Sequence, residues 1–358
     1  MKKIVFRRSA LTTVAIAAIF GANTAWAELD SVQLEVINGN HGDPWTINIL
    51  QPFFEKTLPE ASGGKITAHS VPYTELGMSG FEMMDLLRLG TNDITWGVPG
   101  YLSGEAPIAE GLELPGITGD YNLMFQAQDA YREIFDEALR ENFNAKLIFF
   151  SQQPALQAYC RLSPQEIENF SLDTMKGKKS RIHSTSFADF VEAYGGVPVT
   201  IPFVDVIPGL ERGVIDCALT APTAAYAAKI GQVANTVVEI RSGYTTHFFA
   251  MNLDTWNGLN AETQEFLTEQ FAKVEQEARD YTPHMQEIAA QCLGEGPCEL
   301  GEPAGMAYVK MTPEDEQALR QRVEETVLPR WASRCGPTCA DEWNSALSGI
   351  LGMTIKSQ

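Results

Sequence analysis

The chain has 358 residues with 44% hydrophobic content, enough for two domains with a core each. It carries 26 Lys plus Arg against 46 Asp plus Glu, a net charge of −20, which makes nucleic acid and anionic membrane surfaces poor partners. No long polar tract or repeat suggests a disordered or solenoid chain.

In chain order, residues 1–27 read as an export signal. Lys2, Lys3, Arg7 and Arg8 form a basic start, Ala10 to Phe20 is an apolar run too short for a membrane anchor, and Ala25-Trp26-Ala27 is a small-x-small cleavage site. The residues around Arg7-Arg8 fit the general secretory route better than the twin-arginine one. Losing those basic residues takes the exported chain to a net of about −24. No later run reaches membrane-spanning length, so a soluble periplasmic protein without direct membrane insertion is expected.

Strand and helix signals then alternate. Val32 to Ile37 alternates apolar and polar residues, and Thr46 to Leu58 carries Ile47, Leu50, Phe53, Phe54 and Leu58 at helical spacing. Gly63-Gly64 turns the chain into a strand from Lys65 to Val71. A helix at Phe81 to Leu89 follows, with Met83-Met84 and Leu86-Leu87 read as core, then a strand at Asp93 to Gly97 and a long helix between Asn122 and Phe143. After a buried strand, Ala145 to Phe150, the rhythm restarts. Strands are predicted at Lys178 to Ile182, Val197 to Ile201 and Val214 to Leu219, and helices at Ser184 to Tyr194, Val204 to Arg212 and Ala221 to Ile230. Thr245 to Leu253 reads as a strand able to return to the first sheet, and Ala261 to Cys292 as one long helix that Pro283 can kink. A short strand and further helix close the chain after a Gly and Pro cluster at Gly294 to Pro303.

The pattern predicts an α/β fold, a clamshell like the type II periplasmic binding proteins, with two α/β domains, hinge crossings and a long connecting helix. Residues 28–152 plus about 243–290 form the first domain and 153–242 plus about 291–358 the second. A ligand belongs in the cleft between them, where strand carboxyl ends converge. The competing class is an exported hydrolytic enzyme on the same layers.

Six cysteines in an exported chain favour disulfides over zinc. Cys292 with Cys298 and Cys335 with Cys339 offer local loops, leaving Cys160 and Cys217 near strand ends, but spacing alone does not choose among the pairings. For the enzyme class there is no Gly-x-Ser-x-Gly elbow, His-Glu-x-x-His or phosphate loop, and no cofactor is implied. His183, Ser184 and Asp189 lie too close along one strand and helix to face each other as a triad, so His183 is read as a cleft residue. His41, in the turn-forming run Asn38 to Trp45, is either turn chemistry or a polar lip of the cleft.

Arg181 stands inside a short buried strand, where a cation needs an anionic partner. Around it run four blocks: Met175 to Ile182, Ala193 to Val199, Ile201 to Ile207 and Leu210 to Asp216. Their order and spacing resemble the extracytoplasmic solute-binding subunit of TRAP transporters, the tripartite ATP-independent periplasmic carriers, and the likeness extends through Leu76-Gly77 and Leu114-Pro115-Gly116. The resemblance implies that Arg181 pairs with a ligand carboxylate, that Phe203 covers the ligand's carbon skeleton, and that small and large membrane subunits receive the ligand. Thr220 stands near where the family often places a cleft amide, and Gln152, Gln153 and Gln157 occupy the region of a second, upstream arginine. That departure points away from C4-dicarboxylates and sialic acid and toward a small organic acid with one carboxylate, pyroglutamate-like acids among them. A sulfonate is the second choice. Asn38, Trp96, Gln157, Tyr159 and Thr220 are the neutral polar and aromatic candidates for the rest of the site.

Overall fold

The computed structural model describes residues 28–240 and 242–356; the export signal expected at residues 1–27 lies outside the described residues. Eleven strands form two sheets. The first holds β1 (Val32–Asn38), β2 (Ile66–Pro72), β3 (Ile94–Gly97), β4 (Ala145–Ala155) and β10 (Tyr244–Asn252), in the order β2-β1-β3-β10-β4. The second holds β5 (Gln157–Cys160), β6 (Lys179–Ile182), β7 (Val197–Thr200), β8 (Cys217–Thr220), β9 (Thr236–Glu239) and β11 (Ala307–Lys310), in the order β11-β9-β5-β8-β6-β7. β1 pairs in parallel with β2 and β3, and β6 with β7 and β8, as helical crossovers between strands require.

Each sheet contains one reversed strand. β10 is antiparallel to both β3 and β4, and β5 is antiparallel to both β8 and β9. These are the strands that arrive from the other sheet: β4 runs through Leu156 into β5, and β9 returns into β10. The two crossings lie side by side, since Tyr244 pairs with Ala155, Leu156 N donates to Gly243 O at 2.8 Å, and Ala158 pairs with Val238. Gly243 holds φ +101°, a conformation other residues adopt only with strain, and so lets the return crossing turn between sheets.

The helices form where the apolar spacing predicts, with local caps. Asp120 caps the helix Tyr121–Phe143 by accepting from Asn122 N and Leu123 N, and Asn260 caps Ala261–Leu293 by accepting from Thr263 N. The latter continues through Pro283 and lays Phe266, Phe271, Val274 and Met285 on Phe149 and Phe249 of the first sheet. Thr46 to Leu58 is helical with two π turns, at Thr46–Leu50 and Phe53–Thr57. C-terminal helices Leu328–Cys335 and Pro337–Leu351 pack Trp331 and Trp343 into a core shared with Tyr121–Phe143 and with Thr185–Ala193 of the second sheet. No described helix is long and apolar enough to cross a membrane.

β4 extends five residues beyond the predicted end, because its polar stretch is buried and satisfied rather than exposed. Gln152 Nε2 donates to Gln153 O at 2.9 Å and to Thr245 O at 3.0 Å. A polar run ordinarily signals a loop, and here it is the crossing strand.

Three disulfides join Cys160 to Cys217, Cys292 to Cys298 and Cys335 to Cys339. The first ties the reversed β5 to β8 and closes 57 residues; the second closes 6. Cross-linking restricts the unfolded chain more for longer loops, so replacing Cys160 and Cys217 by Ala is expected to lower unfolding free energy by about 4 kcal/mol, against ~2 kcal/mol for Cys292 and Cys298. Chemical denaturation of the two double variants compares them, and an equal or reversed order would assign the stabilisation to packing instead.

Candidate functional site

A cavity of about 510 Å³, counting its mouth, lies between the sheets. It sits at the carboxyl ends of the parallel strands: Asp43 follows β1, Tyr73 follows β2, Trp96 and Tyr101 mark the end of β3, and Phe203 follows β7. Arg181 is on β6 and Thr220 ends β8. Gly100 lets the loop after β3 close onto β6, since a Cβ there would lie 2.8 Å from both Ser184 and the Glu113 carboxylate. Gly100 N donates to Glu113 Oε2 at 2.7 Å, and Glu113 Oε1 stands 3.4 Å from His183 Nε2.

Arg181 is 2% exposed. Its Nε donates to Ile201 O at 3.0 Å and its Nη1 to Leu219 O at 3.2 Å. Nη2 is buried with no hydrogen-bond partner, and among the described residues no carboxylate forms an ion pair with the guanidinium. The Tyr101 hydroxyl lies beside the guanidinium, whose charge and hydrogen bonding favour the ionised phenol although burial dominates and pushes its pKa up; it meets no hydrogen-bond geometry at Nη2, so it is a neighbour that a ligand carboxylate would displace or share. Phe203 stacks its ring 5.9 Å from the guanidinium carbon. Two carbonyl bonds thus fix the head group and leave its outer edge open to the cavity.

Aromatic side chains build the walls. Tyr73 and Trp96 stack at 5.1 Å with a 9° interplanar angle, and Trp96 meets His247 edge-on at 4.9 Å. The Trp96 Nε1 donor is buried and unpartnered. Asp43, 4% exposed, accepts from Gln153 Nε2 at 3.1 Å through Oδ2, while its Oδ1 has no partner. Gln153 is oriented in turn by Thr223 Oγ1, which donates to its Oε1 at 2.7 Å. Burial pushes the Asp43 carboxyl up to about 7 against a smaller opposite effect of the Gln153 hydrogen bond. Burial, with His183 nearby, pushes His247 down to about 3.

Of the residues singled out in the sequence, Arg181, Phe203, Thr220, Trp96 and His183 line this cavity. The other four do not. Asn38 is buried at the end of β1, its Nδ2 donating to Ser70 Oγ at 3.1 Å and its Oδ1 accepting from Gly39 N. His41 is exposed and pairs with Glu75 at 2.8 Å, which is the turn-chemistry outcome. Gln157 sits opposite Thr220 in the β5–β8 ladder, and Tyr159, two residues on, is buried among Val206, Leu210 and Ile215. Gln157 shares a sheet face with its ladder partner Thr220, but only Thr220 reaches the cavity wall, and the Gln157 Oε1 and Tyr159 hydroxyl are buried without a hydrogen-bond partner. Sequence reasoning missed Asp43, Tyr73, Tyr101 and His247. Their common signal is a position just past a strand's carboxyl end or on the crossing strand β10.

The geometry offers no catalytic triad at His183. Ser184 Oγ caps its helix by accepting from Phe187 N at 3.3 Å, and Asp189 is held by Arg330 and Arg334 at 3.0 and 2.6 Å. Among the described residues no group of three or more His, Cys, Asp or Glu side chains is placed to hold a metal ion.

The sequence pattern of the family described as DctP, bacterial extracellular solute-binding protein, family 7, matches residues 38–333. The C4-dicarboxylate-binding periplasmic protein DctP of Rhodobacter capsulatus is 25% identical over 165 residues, 46% of this chain and 47% of that protein, so the match spans about half of that relative. The crystal structure of DctP7, a Bordetella pertussis extracytoplasmic solute receptor binding pyroglutamic acid, superposes with a TM-score of 0.75 at 19% identity, covering 88% of this chain and 99% of that one. A TRAP periplasmic solute binding protein from Desulfovibrio salexigens with bound orotic acid superposes with a TM-score of 0.79 at 15% identity, covering 89% and 99%. At these identities the structures share the two-sheet fold.

The Asp43 carboxyl sets a pH dependence of the empty protein. The folded chain holds its proton up to about pH 7, whereas an unfolded carboxyl releases it near the ordinary 3.8, so the Asp43 contribution to stability falls as pH rises between those values. His247 acts oppositely, losing stability as pH falls from 6.5 toward about 3. Asp43→Asn removes only the first slope. Its stability relative to the native chain is expected to rise from pH 4 to pH 7 by roughly 3 kcal/mol, read from denaturant unfolding at each pH. A constant difference across that range would mean that Asp43 is ionised in the fold.

Proposed function

This chain belongs to bacterial extracellular solute-binding protein family 7, and from that premise we propose that it captures a small organic acid in the periplasm and delivers it to the membrane subunits of a TRAP transporter. The observation that carries the reading is the buried Arg181 guanidinium whose Nη2 has no protein partner. A charge held dry at that cost is explained by an anion that arrives.

The ligand carboxylate docks on the outer edge of Arg181. Nε is committed to Ile201 O, so the fork open to the ligand is the end-on one, made by Nη2 and the second N–H of Nη1. Phe203 and the Tyr73–Trp96 pair cover the carbon skeleton. Capture closes the two sheets' domains about the paired crossings at Leu156 and Gly243, and release to the membrane subunits reopens them. The relatives' ligands, pyroglutamic acid and orotic acid, are compact acids. The chain acts by binding alone, so ligand recovered after long incubation is expected chemically unchanged.

Isothermal titration with an acid identified by a thermal-shift screen tests the role of Arg181. Arg181→Lys keeps a charge but loses the planar fork and is expected to weaken binding; Arg181→Ala is expected to cost on the order of a hundredfold or more, ~3 kcal/mol. Both variants also lose bonds to the Ile201 and Leu219 carbonyls, so circular dichroism reports the folded fraction alongside. Native affinity in the folded fraction of Arg181→Ala would make Arg181 a structural residue and overturn the reading.

A further inference from the structure

Resting on the organic-acid reading, we propose that this site selects acids that also carry an N–H group, which Asp43 accepts across the cavity from the Arg181 end, and that it rejects acids with a second carboxylate. Arg181 is the lone Lys or Arg side chain in the described cavity wall, and Asp43 is the lone Asp or Glu. They come from different sheets, Asp43 from the loop after β1 and Arg181 from β6. Tyr73 lies between their influences: its hydroxyl is affected by the Arg181 charge in one direction and the Asp43 charge in the other.

Asp43 has the marks of a ligand acceptor. It is buried, its Oδ2 is fixed by Gln153, its Oδ1 has no partner, and the residue lines the cavity. A buried carboxylate oxygen without a donor is costly, and neither Lys nor Arg of the described chain reaches it. An arriving N–H satisfies it. Above about pH 7, where Asp43 is ionised, a ligand carboxylate in the same place would set two like charges together in a dry cavity, which excludes C4-dicarboxylates more firmly than the lack of a second arginine does. The aromatic faces of Tyr73 and Trp96 tolerate either a neutral lactam N–H or a cationic ring N–H.

The test compares, at pH 8 where Asp43 is ionised, three five-membered-ring acids of nearly equal shape by titration calorimetry: pyroglutamate with a neutral N–H, proline with a cationic one, and tetrahydrofuran-2-carboxylate with none. Succinate is the fourth probe. At least one of the two N–H acids is expected to bind tenfold or more tighter than the oxygen analogue, and succinate to bind more weakly still. Asp43→Ala is expected to bring that ratio to within threefold, and Asp43→Asn, which keeps an acceptor and the Gln153 contact, to keep a lactam preference over the oxygen analogue; far-ultraviolet dichroism confirms that each is folded. Equal affinity of the native chain for the three ring acids, tight succinate binding, or an unchanged ratio in Asp43→Ala would overturn the N–H assignment while leaving the acid reading intact. Failure of all four acids to bind would overturn both.

Discussion

The structure turns on a guanidinium buried without a countercharge. An isolated charge moved from water into a protein interior costs several kcal/mol, and a fold tolerates it only where fixed dipoles replace part of its hydration. Here the carbonyls of Ile201 and Leu219 do so. Both lie at strand carboxyl ends beside β6, so the parallel arrangement of β6, β7 and β8 is what aims their oxygens at Arg181. Nη2 has no such partner, and the proposed ligand carboxylate would supply one. On that proposal, binding energy is prepared in the empty protein as unsatisfied hydrogen bonding rather than created by rearrangement.

That preparation depends on the exchange of strands between sheets. β5 and β10 are each the reversed member of the sheet they join, and their paired crossings hold the two sheets face to face with their strand ends converging. The walls of the cavity come from both sides, with Asp43, Tyr73 and Trp96 from one and Arg181, Phe203 and Thr220 from the other. The disulfide between Cys160 and Cys217 braces β5 against β8 a few residues from Thr220, so the covalent constraint lies under the floor of the site.

Much of the fold was legible because it is written in local periodicity. The alternation at Val32 to Ile37, the helical spacing at Thr46 to Leu58 and the strand rhythm after Ala145 all correspond to observed elements. β9 and the full length of β4 were not, since Ser151, Gln152 and Gln153 read as polar while their burial is made tolerable by partners distant in sequence, such as Thr245 and Thr223. Arg181 stood out because a cation in an apolar strand violates patterning, and such violations mark function. Asn38 and Tyr159 lie outside the cavity because a polar residue in a strand has a core outcome as well as a cleft one: Asn38 is bonded to Ser70 and Gly39, and Tyr159 packs its ring among Val206, Leu210 and Ile215. Asp43 was hidden for a different reason: in a run of Asn, Gly, Asp and Pro an acidic residue reads as turn chemistry, and only its burial separates it from the exposed His41 two positions earlier.

The central claim is that the open edge of Arg181 is a carboxylate receptor. A crystal structure of the chain with a bound organic acid tests it most directly. The account predicts one ligand carboxylate within about 3 Å of Arg181 Nη2, with Nε still bonded to Ile201 O and the acid's carbon skeleton against Phe203 and Trp96. An acid bound away from Arg181, or a protein carboxylate occupying Nη2 in the complex, would contradict it.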